Sequence, residues 1–202
     1  MASITRRPSK KAERQAEVEA AVLGATERLL RDGTAFTELG VQRIADAAGI
    51  ARSTFYLYFR DKTDVMRRIT ENLGRAAFET SEAVTADLES ITRAHVEVFA
   101  FYRERAHLLA AVVEVSGYEP EIREVWNAAV RRFADNMTRM LEEEQEAGRT
   151  SAELVPHTCA EVIVWGGMRV IAHQVATHGP ETDLAVAREL AANQWFGAFR
   201  RP

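Results

Sequence analysis

The chain has 202 residues, 47% of them hydrophobic and 28% charged, with a formal net charge of −4. This length supports one sizeable core or two small ones. The basic N-terminal cluster Arg6, Arg7, Lys10, Lys11 and Arg14 has no apolar run behind it, which argues against a signal peptide and a membrane anchor. Cys159 is the only cysteine, so an intrachain disulfide is excluded and a cytoplasmic location is expected.

In chain order, residues 1–13 are expected to form a flexible basic arm. The stretch 39–62, LGVQRIADAAGIARSTFYLYFRDK, then reads as two short helices joined by a tight glycine turn. Val41, Ile44, Ala45 and Ala48 fall at i, i+3, i+4 and i+7, one apolar stripe on a short helix. Gly49 follows where a left-handed backbone ends a helix and glycine meets no steric penalty. Ile50 pins the turn to the core, and a second helix opens near Ala51. On it Phe55 and Phe59, at i and i+4, share the inward face. That leaves Arg52, Ser53, Thr54, Tyr56 and Tyr58 around the outside, with Leu57 unassigned. Asp61 is placed to cap the next helix, with Asp64 in its first turn favouring the positive helix end. A short second helix carrying hydroxyls and rings between Arg52 and Lys62 has the shape and chemistry of a helix-turn-helix that enters a DNA groove.

The charge follows the same division. Residues 1–67 hold 12 Lys and Arg against 9 Asp and Glu, whereas residues 68–202 hold 14 against 21. The positive balance sits with the motif, and the acidic remainder should face away from a duplex that would repel it. On this reading the arm adds phosphate or minor-groove contacts; the alternative is a disordered solubilising tail.

The run IADAAGIARSTFYLYFRDKTDVM resembles the DNA-binding half of the TetR family of bacterial transcription repressors, over roughly residues 14–67. The matching pieces are the I-A-x-x-A-G turn, the T-F-Y-x-Y-F recognition helix and the D-K pair that opens the fourth helix. The resemblance implies that Tyr56, Tyr58 and Lys62 bind phosphates, and that Arg52, Ser53 and Thr54 meet base edges or phosphates. Gln42 and Arg43, at the start of the preceding helix, are further candidates. Ala51 stands where the family often has Ser or Asn, and Gly40 where Thr or Ser is common, so both helix starts are expected to be capped less tightly.

Beyond the motif the sequence predicts helices alone. They run over 62–84, 86–105 and 104–115, then over 120–147 with Pro120 in the first turn and Gly148 as the stop. The last two cover 155–177, with Pro156 at its start, and 183–199, after Gly179 and Pro180. The domain change is expected inside the fourth helix, between Arg67 and Arg75. This gives a DNA-binding domain at 14–67 and a helical effector-binding and dimerisation domain at 68–202, sharing a continuous helix.

The last two helices argue for a homodimer. Val162, Ile163, Val164, Trp165, Val170 and Ile171 leave little polar surface, and Gly166 and Gly167 allow close backbone approach. A helix apolar all round must be covered on every side. Leu184, Ala187, Leu190, Ala191, Trp195 and Ala198 form a stripe on the final helix, so two helices from each subunit could make a four-helix interface. A two-fold dimer would present two recognition helices to half-sites about one DNA turn apart, roughly 34–36 Å.

The resemblance further implies an effector pocket in the intervening helices, with Phe99, Tyr102, Leu109, Val113 and Trp126 as candidate lining residues. Phe133, Met137, Trp165 and Arg169 complete that set, Arg169 as a carboxylate anchor or a structural ion-pair residue. From the residues alone, aromatic and Met side chains at helical spacing equally describe plain core. Burying ~150–250 Å² explains each Trp without a ligand. The EVWNAAVRRF stretch and the long apolar helix after it resemble the EthR-like branch of the family, which regulates ethionamide activation and has a long apolar pocket.

No Ser-His-Asp set, H-E-x-x-H or Gly-rich phosphate loop is present, and Gly166 and Gly167 lie inside an apolar helical run. His157, Cys159, His173 and His178 lack metal-ligand spacing. No enzyme activity, cofactor or metal is therefore expected. The expectation is an all-α protein: a three-helix helix-turn-helix domain fused through a long fourth helix to a helical ligand-binding and dimerisation domain. Its expected partners are an operator in double-stranded DNA, a small apolar effector and a second copy of itself, with no membrane. The alternative is a ligand-independent regulator or architectural DNA-binding protein.

Overall fold

Apolar residues recur at three- and four-residue intervals along most of the chain, and a coiled backbone lets them share a face while pairing its own polar groups. The computed structural model describes residues 10–80 and 84–201, and there every regular element is helical. α1 spans Lys10–Arg31, α2 Val41–Ala47, α3 Arg52–Phe55, α4 Lys62–Thr80 and α5 Leu88–Glu104. α6 follows at Ala106–Ser116, α7 at Pro120–Glu146, α8 at Pro156–Thr177 and α9 at Asp183–Gln194. Short 3-10 turns lie at Phe36–Glu38 and Pro180–Thr182, and a π turn at Trp195–Phe199. The all-α class expected from the sequence is the one adopted. Two compact units divide the chain, residues 1–69 and 70–202, and the division falls inside the unbroken α4.

Of the arm expected at 1–13, residues 1–9, Arg6 and Arg7 among them, lie outside the described residues. Lys10 and Lys11 belong to α1, so the basic run is helical from there on. Ala12, Glu13, Arg14, Gln15 and Ala16 are strong helix formers with no Gly or Pro among them, which carries the helix outward past its packed part.

In the first unit α1 packs on α2 and α2 on α3. Val22, Ala25, Ile44, Ala45, Phe55 and Val65 are fully buried. Asp61 Oδ1 accepts the Asp64 N–H (2.8 Å) and Asp64 Oδ2 accepts the Arg60 N–H (3.2 Å), so the start of α4 has two backbone donors satisfied. Burial pushes the Asp64 carboxyl up. The hydrogen bonds from Arg67 and the Arg60 N–H, with the charges of Arg68 and Arg67, outweigh it and hold the group below its usual value.

In the second unit α7 packs on α6 and α8, and α5 on α9. Gly74 of α4 lies against Ala129 so closely that a Cβ there would overlap the alanine methyl group. Phe78 meets Phe133 edge to face at 5.2 Å. α5 starts two residues later than the spacing predicts, because Asp87 accepts the Ser90 N–H (2.8 Å) and fixes the cap. α7 stops at Gly148 as expected, where φ is +67°. The final helix leaves α geometry at Trp195, and Thr150 Oγ1, donating to Ala198 O (2.5 Å), holds the π turn.

One side chain ties three helices of this unit together. The last carbonyls of a helix have no partner within it, and at the end of α8 Arg103 of α5 collects them. Its Nη1 donates to Val175 O (3.0 Å) and His178 O (2.6 Å), and its Nη2 to Gln174 O and Gly179 O (both 3.2 Å). The same guanidinium grips Asp183, the first residue of α9, at 2.8 and 2.7 Å. The hydrogen bond from Arg103 holds the Asp183 carboxyl below its usual value, against the opposing effect of burial.

Arg103→Ala should therefore lower the unfolding free energy by about 2–4 kcal/mol in urea at neutral pH. Because the folded Asp183 value is lowered, the ion pair contributes fully above the unfolded carboxylate value of about 4 and fades as pH falls through the folded one. Near the acid limit the difference between wild type and variant should shrink to the share carried by the carbonyl bonds.

Candidate nucleic-acid interface and ligand cavity

The turn between α2 and α3 is made by Gly49, at φ +69°. Ile50 N–H donates to Ala45 O (3.0 Å) and Gly49 N–H to Asp46 O (3.1 Å), the paired bonds of a glycine-terminated helix. Phe55 and Phe59 are buried and their rings stack at 5.3 Å. With these two fixed inward, Arg52 and Ser53 are exposed, Tyr56 is 48% exposed, and Thr54 and Tyr58 are half-buried. Leu57, unassigned from sequence, is 76% exposed and so also lies on the outer surface. Arg52 Nη2 donates to the Tyr56 hydroxyl at 3.4 Å, with the guanidinium 5.7 Å from the ring centroid.

The remaining candidates are partly occupied within the unit. Gln42 is exposed and donates to Asp46 Oδ1 (2.8 Å), and Arg43, also exposed, donates to Thr34 Oγ1 (3.1 Å). Lys62 Nζ donates to Phe36 O (2.9 Å) and Thr37 O (3.2 Å) and lies 4.8 Å from the Phe36 ring centroid. An ammonium has three donors, and two of them brace the 3-10 turn. Neither Gly40 nor Ala51 makes a side-chain capping bond, as the two departures from the family pattern imply.

The second unit contains a cavity of about 120 Å³ walled by α5, α7, α8 and α9. Phe133 and Met137, two of the candidate effector-pocket residues, line this cavity; Phe99, Tyr102 and Trp126 do not, being buried in the packed core. Leu109, Val113 and Arg169 line a separate hollow of about 210 Å³ between α6 and α8. Trp165 is half-buried and lines neither. The polar groups of the first cavity are His95, Asn136 and Gln194, none of which sequence reasoning singled out. A signal was available: Ile91, Ala94, His95 and Val98 keep helical spacing, as do Phe133, Asn136, Met137 and Met140, once a polar residue is allowed in the stripe.

On α8 one outward stripe is apolar, beside exposed Arg169 and His173. Val162 is 70% and Val170 40% exposed, and Gly166 between them has open space where a Cβ would stand. Among the described residues no group of three or more His, Cys, Asp or Glu could hold a metal ion, and no helix is long and apolar enough to cross a membrane.

Residues 22–69 match the family described as "Bacterial regulatory proteins, tetR family", and residues 88–198 match "Transcriptional regulator EthR, C-terminal domain". The chain belongs to the TetR family of bacterial transcription regulators. Its C-terminal half is EthR-like, in keeping with the resemblance of the EVWNAAVRRF region. The HTH-type transcriptional regulator EthR of Mycolicibacterium smegmatis is 31% identical over 136 residues, spanning 64% of this chain but only 62% of that relative's length. EthR of Mycobacterium tuberculosis is 24% identical over 184 residues, covering 88% of this chain and 84% of its own. The structure of FadR from Bacillus subtilis in complex with stearoyl-CoA superposes with a TM-score of 0.71 at 18% identity. It covers 88% of this chain and 97% of that one, a likeness of fold. These are regulators, not enzymes.

In this TetR-family chain the uncapped start of α3 is open to improvement. Ala51 already has cap-like dihedrals, φ −69° and ψ 147°. Ala51→Ser should supply the missing acceptor and raise the unfolding free energy by about 1 kcal/mol. Thermal and urea melts check this; an unchanged melt would mean that the exposed α3 amides are satisfied by water at no cost.

Proposed function

We propose that the chain is a cytoplasmic, homodimeric, sequence-specific DNA-binding repressor, released from its operator by a small, largely apolar ligand. Residues 14–67 serve the DNA, and residues 68–202 the ligand and the partner subunit. The observation that carries the DNA reading is the two-sidedness of α3 and the turn that follows it, with Phe55 and Phe59 inside and Arg52, Ser53 and Tyr56 outside. Tyr56, Tyr58 and the remaining donor of Lys62 take phosphates. Arg52, Ser53 and Thr54 take base edges or phosphates, with Gln42 and Arg43 reaching the backbone beside them.

The exposed stripe of α8 supports a dimer. Val162, Gly166 and Val170 stand one turn apart, and an open glycine in a helix interior costs about 1 kcal/mol relative to Ala unless another backbone needs the room. A second copy brings the same patch, which a two-fold axis makes self-complementary. The cavity supports ligand control. FadR of Bacillus subtilis, similar in fold, is in complex with stearoyl-CoA; here about 120 Å³ suits a much smaller occupant.

Gel shift with the DNA upstream of the chain's own coding sequence tests the reading. Arg52→Ala should weaken binding by about 1–3 kcal/mol. Relaxed sequence preference would mark a base contact, and a salt slope reduced by about 1 a phosphate contact. Undiminished binding by an Arg52→Ala, Tyr56→Phe double variant at physiological salt would overturn the assignment of this face.

Val162→Glu should shift the protein from dimer to monomer in sedimentation and abolish operator binding, because a desolvated carboxylate would oppose its own symmetry mate. A variant that stays dimeric would move the interface elsewhere.

A further inference from the structure

His95 gives the cavity of the second unit a direction. It stands one turn after Ile91 on α5, and its Nδ1 lies 2.9 Å from Ile91 O. A carbonyl oxygen can only accept, so Nδ1 carries the hydrogen, and in the neutral ring Nε2 is then a bare lone pair. Burial pushes the imidazole below its usual value, which favours that neutral form, although the bond to Ile91 opposes it. With Nδ1 turned back to its own helix, the outer edge of the ring is what His95 offers to the cavity it lines.

The other groups supply no charge. No Lys, Arg, Asp or Glu is among the described residues that line the cavity. Asn136 Oδ1 already accepts from Arg139 (2.6 Å), and its Nδ2 lies 4.0 Å from Met140 Sδ. Gln194 adds one uncharged amide, and the remaining wall is Ala, Ile, Val, Met and Phe, with Gly167 leaving room on the α8 side. An anion would find no cation there, and a pure hydrocarbon would seal the imidazole acceptor away from water unpaired. The volume is near that of dry cavities of roughly 150 Å³ that admit a single benzene ring.

We propose that this cavity selects an uncharged, ring-sized ligand carrying one hydroxyl or N–H group, which donates to His95 Nε2; this specificity rests on the ligand-release reading above. Neutral phenols, aryl alcohols and anilides have the required chemistry, and aryl carboxylates do not.

Three probes separate the possibilities by calorimetry on the full chain: benzyl alcohol, its donor-free isostere ethylbenzene, and benzoate. Benzyl alcohol and ethylbenzene should both bind, and benzoate should not. His95→Phe should weaken benzyl alcohol about fivefold or more and leave ethylbenzene bound at least as tightly as before, since the unpaired acceptor is gone; the retained hydrocarbon binding shows that the variant is folded. In the unaltered protein, benzyl alcohol but not ethylbenzene should shift the ¹⁵N resonance of His95 Nε2. The specificity is overturned if that resonance does not move, if His95→Phe leaves the affinity for benzyl alcohol unchanged, or if benzoate binds better than the alcohol. Absence of binding by all three probes would overturn the ligand-release reading as well, whereas binding of both aromatics without discrimination overturns only the role of His95.

Discussion

The outer surface of α3 and the turn after it depends on two phenylalanines. α3 has four residues, and nucleating a helical turn costs about 4 kcal/mol before any propagation, so it cannot persist on local energetics. Burial of Phe55 and Phe59 returns roughly 1.5–3 kcal/mol each, which covers that cost only if both rings are sealed, as they are. Arg68 completes the seal. Its guanidinium lies 4.3 Å from the Phe59 ring centroid, it donates to Tyr58 O at 2.8 Å, and Glu19 of α1 balances it at 2.9 Å. Since both anchors point inward, the intervening residues have no place but outside. The exposed row of Arg52, Ser53 and Tyr56 is thus a consequence of core packing, and its rigidity is inherited from the core.

A comparable economy governs α8. Ile163, Val164, Gly167 and Ile171 wall the cavity, while Val162, Gly166 and Val170 face outward one residue away. The two apolar surfaces of this helix therefore belong to one stiff body whose C-terminal end Arg103 fixes to α5 and α9.

What could be read from the sequence was what depends on near neighbours. Gly49 announced its left-handed turn because the preceding stripe ends at Ala48, and Phe55 with Phe59 announced their face because i and i+4 coincide on any helix. Lys62 shows the limit: the family resemblance implies a phosphate ligand, but the carbonyls it braces belong to Phe36 and Thr37, 26 and 25 residues earlier. The basic character of Lys10 and Lys11 suggested a tail and concealed good helix propensity. Cavity walls were least legible of all. Large rings such as Phe99, Tyr102 and Trp126 look like ligand contacts, yet their size is what fills space, so voids open beside smaller or unbranched groups such as Gly167, Met137 and Met140. Whether a residue faces a void is a property of packing among several helices, which no single periodicity encodes.

The net charge of −4 is a poor guide to whether such a chain binds DNA. At physiological ionic strength, charges beyond about 8 Å are largely screened, so a duplex senses the groups it touches and little of the acidic half. Local pairing matters more than the sum. Arg31 is spent on Glu27, Arg67 on Asp64 and Arg68 on Glu19, each within 3 Å. Arg52 instead leans on the neutral hydroxyl of Tyr56, so its full charge stays on the outer face, held in place without being neutralised. That combination, a cation beside an uncharged partner and a turn fixed to the core, leaves a positive charge that can meet an anion without the cost of first breaking an ion pair.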